Sequence, residues 1–299
     1  MSANLPSIAA ATLLLAACAP VSSPASAQTG AATPQEWAAT CPDDAGWDDP
    51  GPPFRIFGNT WYVGTCGIAA ILITGTEGHV LIDSGTEKGA AVVAANIRRL
   101  GFRLEDVKLL LASHEHFDHV GGMAALQALT GAELAVAKDA ALVLSSGRPA
   151  PEDPQFGVLP EMPPAKVATV LPQDGRVLLG SIALQAVETP GHTAGATTWQ
   201  WQGCDGAECR TIVYADSLSA ISSDSYRFAD HPAYVQAFRA GLARLEGLDC
   251  TMLITPHPSA SQLNARAAAG LAPDSAACVR YARAKAAQLD ARLAKEHAQ

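Results

Sequence analysis

Residues 113–119 combine side chains that bind zinc, with three histidines and two carboxylates in seven positions. Neutral imidazole and carboxylate are both zinc ligands, and a catalytic zinc site keeps one coordination position open for water. His114 and His116 are two residues apart, so in an extended segment their side chains leave on the same side. Asp118 and His119 follow where the chain turns. This spacing predicts a metal site.

The segments on either side predict where this cluster lies. Residues 107–112 form an apolar run of strand length, and residues 123–129 have a helical pattern. We therefore expect the cluster on a loop at the carboxyl end of a buried strand, where open α/β sheets place their sites. The alternative is a histidine-rich surface loop. It is disfavoured because packing so many ionisable groups without a role would cost desolvation energy.

Two more histidines follow predicted strands. His192 lies in a Pro/Gly turn after the strand at residues 182–187, and His257 follows the strand at residues 251–254. Strand-end loops therefore carry five of the eight histidines. No role is assigned to the other three, which are His79, His231 and His297.

The order of apolar patterns predicts an α/β (α+β) domain. Strands are expected at residues 54–63, 68–74, 79–83, 107–112, 132–137, 166–170, 176–179, 182–187, 197–201, 211–214 and 251–254. Helices are expected at residues 88–100, 123–129, 138–145, 231–245 and 274–295. This alternation predicts two mixed β-sheets packed face to face, with helices on the outer faces.

The first part of the chain is typical of an exported protein. Residues 1–27 resemble an export signal and tether, because residues 8–17 are an unbroken apolar run. Two cleavage sites remain open, a lipobox that would leave Cys18 lipidated and an A-x-A site before Gln28. The absence of a basic residue before Arg55 argues against both. Residues 28–53 predict an extended lead-in, and residues 54–299 the folded domain.

Charge and hydropathy exclude two classes of partner. The formal net charge is −9 and no basic stripe with interleaved aromatic residues occurs, so we expect no nucleic-acid partner. Beyond the leader, no apolar run is long enough to span a bilayer. We expect a periplasmic monomer without a transmembrane domain, with Cys18 as the one position for a lipid anchor.

The cysteines fit an oxidising compartment. Without Cys18 an even number, six, remains, and none has the C-x-x-C spacing of a metal site. Their positions favour three bridges: Cys204 with Cys209 across a hairpin loop, Cys250 with Cys278 between a strand and the last helix, and Cys41 with Cys66 by elimination. Six cysteines allow 15 pairings, however, and the sequence alone does not choose among them.

The histidine pattern resembles that of the metallo-β-lactamase superfamily of αββα hydrolases. The residues that carry the resemblance are His114-x-His116-x-Asp118-His119, His192 and His257, and it covers about residues 54–299. Within the superfamily, the chain resembles the subclass B3 β-lactamases. The loop from Asp216 carries Ser217 and Ser219 and lacks the cysteine of other subclasses, and the Cys250 and Cys278 pair also resembles that subclass.

This resemblance implies a cofactor of two zinc ions. The implied ligands are His114, His116 and His192 for one zinc, and Asp118, His119 and His257 for the other. It implies that a metal-bound hydroxide hydrolyses the amide bond of β-lactam antibiotics (penicillins, cephalosporins and carbapenems). This hydrolysis would confer resistance to these antibiotics. Asp118 and His116 would be catalytic, with Asp118 orienting the nucleophile. Ser217 and Ser219 would hydrogen-bond the carboxylate of the small-molecule substrate or its bridging water.

Other residues near the cluster have open roles. Asp83 ends a strand and would either orient a ligand histidine or cap a turn. Glu115 should point away from the ligands on its two sides. Phe117 would line the pocket or pack into the core, and Trp37 of the lead-in would add an apolar wall.

Residues 147–164 form a long segment without periodicity that contains six prolines. Such a loop is either functional or disordered. It would be a flap over the pocket or a simple surface excursion. As a flap, it would bring Gln155 and Phe156 to the substrate.

Three alternative functions remain open. A thioester hydrolase of the glyoxalase II kind, or a lactonase, would bridge its metals with Asp216 if the loop register differs by one residue. Export and disulfides argue against the first, whose chemistry is expected in the cytosol. A non-catalytic periplasmic zinc-binding protein would need a closed four-ligand site, whereas two triads are predicted here.

Overall fold

The computed structural model describes residues 30–172 and 174–298, so the predicted export signal and Cys18 lie outside the described residues. The strands are β1 (Phe54–Phe57), β2 (Thr60–Tyr62), β3 (Ile71–Ile73), β4 (His79–Ile82), β5 (Val107–Leu111), β6 (Glu133–Val136), β7 (Val167–Val170), β8 (Arg176–Leu179), β9 (Ile182–Glu188), β10 (Thr197–Asp205), β11 (Glu208–Tyr214) and β12 (Met252–Ile254). The helices are α1 (Pro34–Thr40), α2 (Gly89–Arg99), α3 (Phe117–Val120), α4 (Met123–Thr130), α5 (Lys138–Ser146), α6 (Pro232–Glu246), α7 (Leu263–Ala268) and α8 (Ala277–His297).

The strands form two mixed sheets. The first sheet has seven strands in the order β1 to β7, antiparallel from β1 to β4 and parallel from β4 to β7. The second has five strands in the order β12-β11-β10-β9-β8, of which β11 and β12 are parallel. Each of the four parallel pairs in the described chain is joined by a crossover that contains a helix.

The alternation of side chains along each strand separates the layers. In β3, Ile71 and Ile73 belong to the core between the sheets, together with Trp199 and Tyr214 of the second sheet. Leu72 between them faces the other way and packs with the helices outside the first sheet. The first sheet therefore has apolar residues on both faces, which agrees with the continuous apolar runs in the sequence of its strands.

Helices cover both outer faces of the pair of sheets. On the first sheet, Leu72 packs in a cluster with Val93 of α2. On the second, Val213 packs with Phe238 of α6 and Tyr281 of α8. The layers follow the order helix, sheet, sheet, helix, which confirms the fold class predicted from the sequence. Among the helices of the described ranges, none combines the length and apolarity needed to cross a bilayer.

The predicted strand at residues 54–63 is two strands. The chain reverses at Gly58, whose φ of 56° is a left-handed conformation that favours glycine. A Cβ at this position would lie 2.5 Å from the carbonyl oxygen of Cys204, so the turn also needs the missing side chain. The apolar pattern predicted strand on both sides of the turn, but such a pattern does not show where a strand reverses.

The lead-in is not extended throughout, because residues 34–40 form the helix α1. Thr33 and Glu36 cap its first turn reciprocally. Its Trp37 is buried against Phe54 and Tyr62, with ring centroids 5.2 Å away in both cases. The tryptophan predicted as a pocket wall therefore lies in the core between the sheets, and it fixes the lead-in to the domain.

Three disulfides form within the described residues: Cys41–Cys66, Cys204–Cys209 and Cys250–Cys278. They are the pairings that the sequence positions favoured. Cys204 and Cys209 face each other near the end of the β10–β11 hairpin. Cys250, before β12, holds the first turn of α8 through Cys278, and both are buried.

We predict that the bridge to α8 stabilises the fold more than the hairpin bridge. A disulfide restricts the unfolded chain more when its loop is longer. The sequence separations are 28 residues for Cys250–Cys278 and 5 for Cys204–Cys209. Replacing the first pair by alanine should therefore cost about 3–4 kcal/mol of unfolding free energy, and the second about 2 kcal/mol. Guanidinium unfolding of both variants in the presence of chelator measures this order, and equal or reversed costs would contradict it.

Candidate metal centre

The predicted site residues meet where strands from both sheets end. Two hydrogen bonds join the sheets at the end of β5. The backbone N–H of Thr197 donates to the carbonyl of Ser113 at 2.7 Å, and the Trp199 indole donates to that of Ala112 at 2.9 Å. The histidine motif follows directly, so its position is tied to both sheets.

His114, His116 and His192 form one convergent group. One ligand atom from each lies within 4.8 Å of the others, and all three side chains are buried. The first two come from the loop after β5, and the third comes from the loop after β9. Three imidazoles arranged in this way can hold a metal ion and still leave a coordination position for water.

Asp118, His119 and His257 form a second convergent group. Oδ2 of Asp118 lies 2.9 Å from Nε2 of His119 and 3.3 Å from Nε2 of His257. The two imidazole nitrogens are 3.3 Å apart. His114 also lies within 4.8 Å of Asp118 and His119, so the two groups adjoin. The His257 side chain is 28% exposed, so the second group borders the solvent.

Two of the imidazoles are oriented by residues outside both groups. Nε2 of His116 lies 3.0 Å from Oδ2 of Asp153, and Nδ1 of His192 lies 3.1 Å from the carbonyl oxygen of Ser219. Metal-bound imidazoles usually donate their second N–H in this way, which fixes the tautomer. These contacts leave Nδ1 of His116 and Nε2 of His192 free to bind a metal.

The pKa shifts of three of the proposed ligands favour metal binding. Burial, reinforced by neighbouring imidazoles, lowers the pKa of both His114 and His192, so they are neutral as ligands must be. Burial acts to raise the pKa of Asp118. The charge and hydrogen bond of His119, together with the hydrogen bond of His257, outweigh that effect and lower it well below its ordinary value. Asp118 is therefore an anion inside the protein.

A buried nitrogen without a partner shows that the residues fit a metal. Nε2 of His114 is inaccessible to solvent and makes no hydrogen bond to any residue of the described ranges. Such buried polar atoms are rare and call for an explanation, of which an ion is one. The donors around it are imidazole nitrogens and a carboxylate, the set that zinc prefers.

Asp216, the bridging residue of the alternative functions, is fully buried beside the centre. Its Oδ1 lies 2.8 Å from Nδ1 of His114. That oxygen nevertheless makes no hydrogen bond with suitable geometry to any residue of the described chain. Its Oδ2 accepts the backbone N–H of Leu218. Over residues 30–172 and 174–298, Asp216 belongs to neither convergent group of ligands.

Asp83 binds the loop that carries the ligands. Its carboxylate accepts hydrogen bonds from the backbone N–H and hydroxyl of Ser113 and from the hydroxyl of Tyr214, each 2.7 Å long. Burial raises its pKa to about 6. Its Oδ2 is 3.9 Å from Nδ1 of His119, too far for a hydrogen bond. Asp83 thus connects β4, the motif and β11, and acts on the ligands through the backbone.

Glu115 turns away from the ligands beside it and fixes the loop of His192. Its carboxylate accepts a hydrogen bond of 2.7 Å from the hydroxyl of Thr193 and one of 2.9 Å from the backbone N–H of Gly195. Burial raises its pKa. Glu115, which lies between His114 and His116 in the sequence, therefore positions the loop that carries His192.

The aromatic wall of the site comes from Trp47. Its ring centroid lies 5.8 Å from that of Phe117 and 5.9 Å from that of His257, and 45% of the residue is exposed. Phe117, half-buried, thus lines the opening rather than the core. Trp47 was not predicted, because a tryptophan in a Pro- and Asp-rich segment carries no periodic signal.

The predicted substrate residues lie on two segments around the centre. Ser217 is buried and its hydroxyl has no hydrogen-bond partner among the described residues, whereas Ser219 is half-buried. In the proline-rich loop, Gln155 is half-buried and Phe156 is exposed. The loop is fixed by Asp153, which accepts the N–H of Gln155 at 2.7 Å besides contacting a motif histidine.

Asp153 and Lys285 are the other residues that the sequence did not reveal. Asp153 lies 37 residues from His116, in a loop without periodicity that left no signal. Lys285 donates a hydrogen bond to the hydroxyl of Ser219 from the buried face of α8. A signal did exist here, because Lys285 follows Tyr281 by four residues and therefore shares its helix face.

Comparisons with known proteins agree with this geometry. The family model of the metallo-β-lactamase superfamily matches residues 63–257, more than half of the chain. The solved structure of the MIM-2 metallo-β-lactamase is 53% identical, covers 89% of this chain and 99% of its own, and superposes with a TM-score of 0.86. That of MEM-A1, a subclass B3 metallo-β-lactamase from a soil metagenome library, is 42% identical, covers 85% and 99%, and gives a TM-score of 0.80.

A curated relative of different activity is more distant. The hydroxyacylglutathione hydrolase of Anaeromyxobacter dehalogenans is 29% identical over 71% of this chain and 67% of its own length. Its sequence identity to this chain is lower than that of the two β-lactamase structures. The resemblance expected from the histidine motif is confirmed, and the chain belongs to the metallo-β-lactamase superfamily.

Proposed function

We propose that this protein hydrolyses the amide bond of β-lactam antibiotics as a zinc-dependent subclass B3 enzyme. The observation that carries the proposal is the pair of adjoining ligand groups, in a chain 53% identical to a structurally similar metallo-β-lactamase. The fold alone would not suffice, because one fold hosts many activities.

The proposed ligands follow the two convergent groups: His114, His116 and His192 for one zinc, and Asp118, His119 and His257 for the other. When bound, zinc supplies Lewis-acid activation of water and of the scissile carbonyl. Three of the proposed ligands are already in the protonation state that binds a metal, since His114 and His192 are neutral and Asp118 is ionised.

The residues around the ligands would hold this geometry through turnover. Asp153 would fix the ring of His116, Glu115 would fix the loop of His192, and Asp83 would fix the backbone of the motif. Ser217, with its unpartnered hydroxyl, and Ser219 would bind the substrate carboxylate. Gln155 and Phe156 would contact the variable substrate side chains.

We also infer that the chain is exported and acts as a monomer. Three disulfides fit an oxidising compartment such as the periplasm. All proposed metal and substrate residues come from one chain, so the site does not require a second copy. The export signal and the lipid on Cys18 stay predictions from the sequence.

The proposed activity is tested by assaying zinc-replete protein on a chromogenic cephalosporin and on a lactoyl thioester, each with and without chelator. We expect turnover of the cephalosporin, and we expect chelator to abolish it, because the proposed hydrolysis depends on bound zinc. Thioester turnover with an inert cephalosporin would reject the proposal and would instead favour a hydroxyacylglutathione hydrolase with Asp216 at the metals.

We predict that His116→Ala abolishes cephalosporin turnover and leaves the protein folded. The substitution removes a ligand and the contact to Asp153 but no residue of the apolar core. Turnover and circular dichroism measure the two effects. The control is His297→Ala at an exposed position in the last turn of α8, which should behave as wild type. Near-normal turnover of His116→Ala would refute the ligand assignment.

We predict that Asp153→Asn weakens zinc binding about tenfold, because residues that orient metal ligands typically contribute 10–100-fold in affinity or activity. The amide keeps the shape and one acceptor, so the change isolates the negative charge. Competition with a chromophoric chelator measures the affinity. The neighbouring exposed Glu152→Gln removes the same charge without the contact and serves as the control. Equal zinc affinity in Asp153→Asn and wild type would show that Asp153 does not act on the metal.

A further inference from the structure

Lys285 is an uncommon residue for its position. It lies on the face of α8 that also carries Cys278, Tyr281 and Leu289, and all four are buried, with Lys285 only 8% exposed. Lysine is almost never so buried unless its charge is paired. A small apolar residue would pack this face at lower cost, so the ammonium calls for an explanation.

The protein provides little compensation for this charge. The Lys285 ammonium donates one hydrogen bond, 2.9 Å long, to the hydroxyl of Ser219, and it lies 5.1 Å from the ring centroid of Tyr281. Within residues 30–172 and 174–298, no carboxylate oxygen lies within 4 Å of it. An ammonium has three donors. Burial lowers the pKa of Lys285, and the charge of Asp216 opposes that effect without forming an ion pair within 4 Å.

The ammonium borders the candidate metal centre. The backbone carbonyl of Ser219 accepts from Nδ1 of His192, so Ser219 contacts a proposed ligand on one side and Lys285 on the other. Lys285 is thus separated from a proposed ligand by a single residue, Ser219.

The loop at Lys285 contains an unused donor of its own. The hydroxyl of Ser217 is buried and unpartnered in the described chain. Tyr281, one turn before Lys285, donates to the carbonyl oxygen of Ser217 at 2.8 Å and holds the loop in place. A fixed loop with a free hydroxyl, next to a buried cation without a counterion, has the chemistry of a carboxylate site.

We propose that Lys285 is the cationic partner of the substrate carboxylate, and that it acts through the hydroxyl of Ser219. Ser219 Oγ accepts from Lys285 and donates to the carbonyl oxygen of Ser217 at 3.1 Å. A bound carboxylate would take the Ser219 proton in place of that carbonyl oxygen, while the ammonium supplies the charge. This inference rests on the proposed function, and it assigns selection of anionic β-lactams to a residue of the C-terminal helix.

The test compares a chromogenic cephalosporin with its methyl ester, which lacks the negative charge. In Lys285→Gln, a neutral donor to Ser219 remains and the charge is lost. We expect KM for the free acid to rise about 10-fold or more, because the variant loses the attraction between the ammonium and the substrate carboxylate, which is strong in a partly buried site. The kcat for the acid and the KM for the ester should stay near wild type. Lys285→Arg, which keeps the charge, should restore much of the preference for the acid.

Matched variants separate this effect from a loss of structure. Lys295→Gln removes the same charge from an exposed position of α8 and should leave both substrates unaffected. Thermal unfolding checks the fold, and Lys285→Met provides a second neutral variant if Lys285→Gln is unstable. An unchanged ratio of acid to ester kcat/KM in a folded, active neutral variant would overturn the role of Lys285. A wild type that is inactive on both cephalosporins would overturn the proposed function, and this inference with it.

Discussion

Five histidines and an aspartate converge at one edge of the two sheets, and the rest of the structure is arranged to hold them there. Imidazoles so close together cannot all be protonated, and a buried nitrogen without a partner costs free energy. Nε2 of His114 is such a nitrogen. A metal bound by these residues would remove that cost and stabilise the fold.

Supporting contacts reach this centre from widely separated parts of the chain. Asp83 joins β4 to the motif, Glu115 joins the motif to the loop of His192, and Asp153 fixes the proline-rich loop to His116. Each carboxylate is buried and accepts hydrogen bonds, so its negative charge is compensated locally. The C-terminal helix completes the set, because Tyr281 and Lys285 hold the serine loop while a disulfide holds the helix.

The sequence was most informative where a periodic pattern or a compact motif carried the signal. The layers of the fold followed from apolar alternation, and the motif at residues 113–119, with His192 and His257, identified the family. Residues that act across long separations gave no such signal. Asp153 and Trp47 lie in aperiodic segments, and only folding brings them to the motif. Helix α1 was missed for a related reason, since its seven residues are too few for a helical period to appear.

The proposed function depends on the convergent residues binding two zinc ions. Native mass spectrometry of the folded protein, loaded with zinc and then desalted, measures how many ions it retains. For wild type we expect a mass increase equal to two zinc ions. For His257→Ala, which removes a ligand from the second group alone, we expect an increase of one ion. A wild-type protein that retains no zinc, or a His257→Ala variant that retains as much zinc as wild type, would contradict the assignment of the ligands.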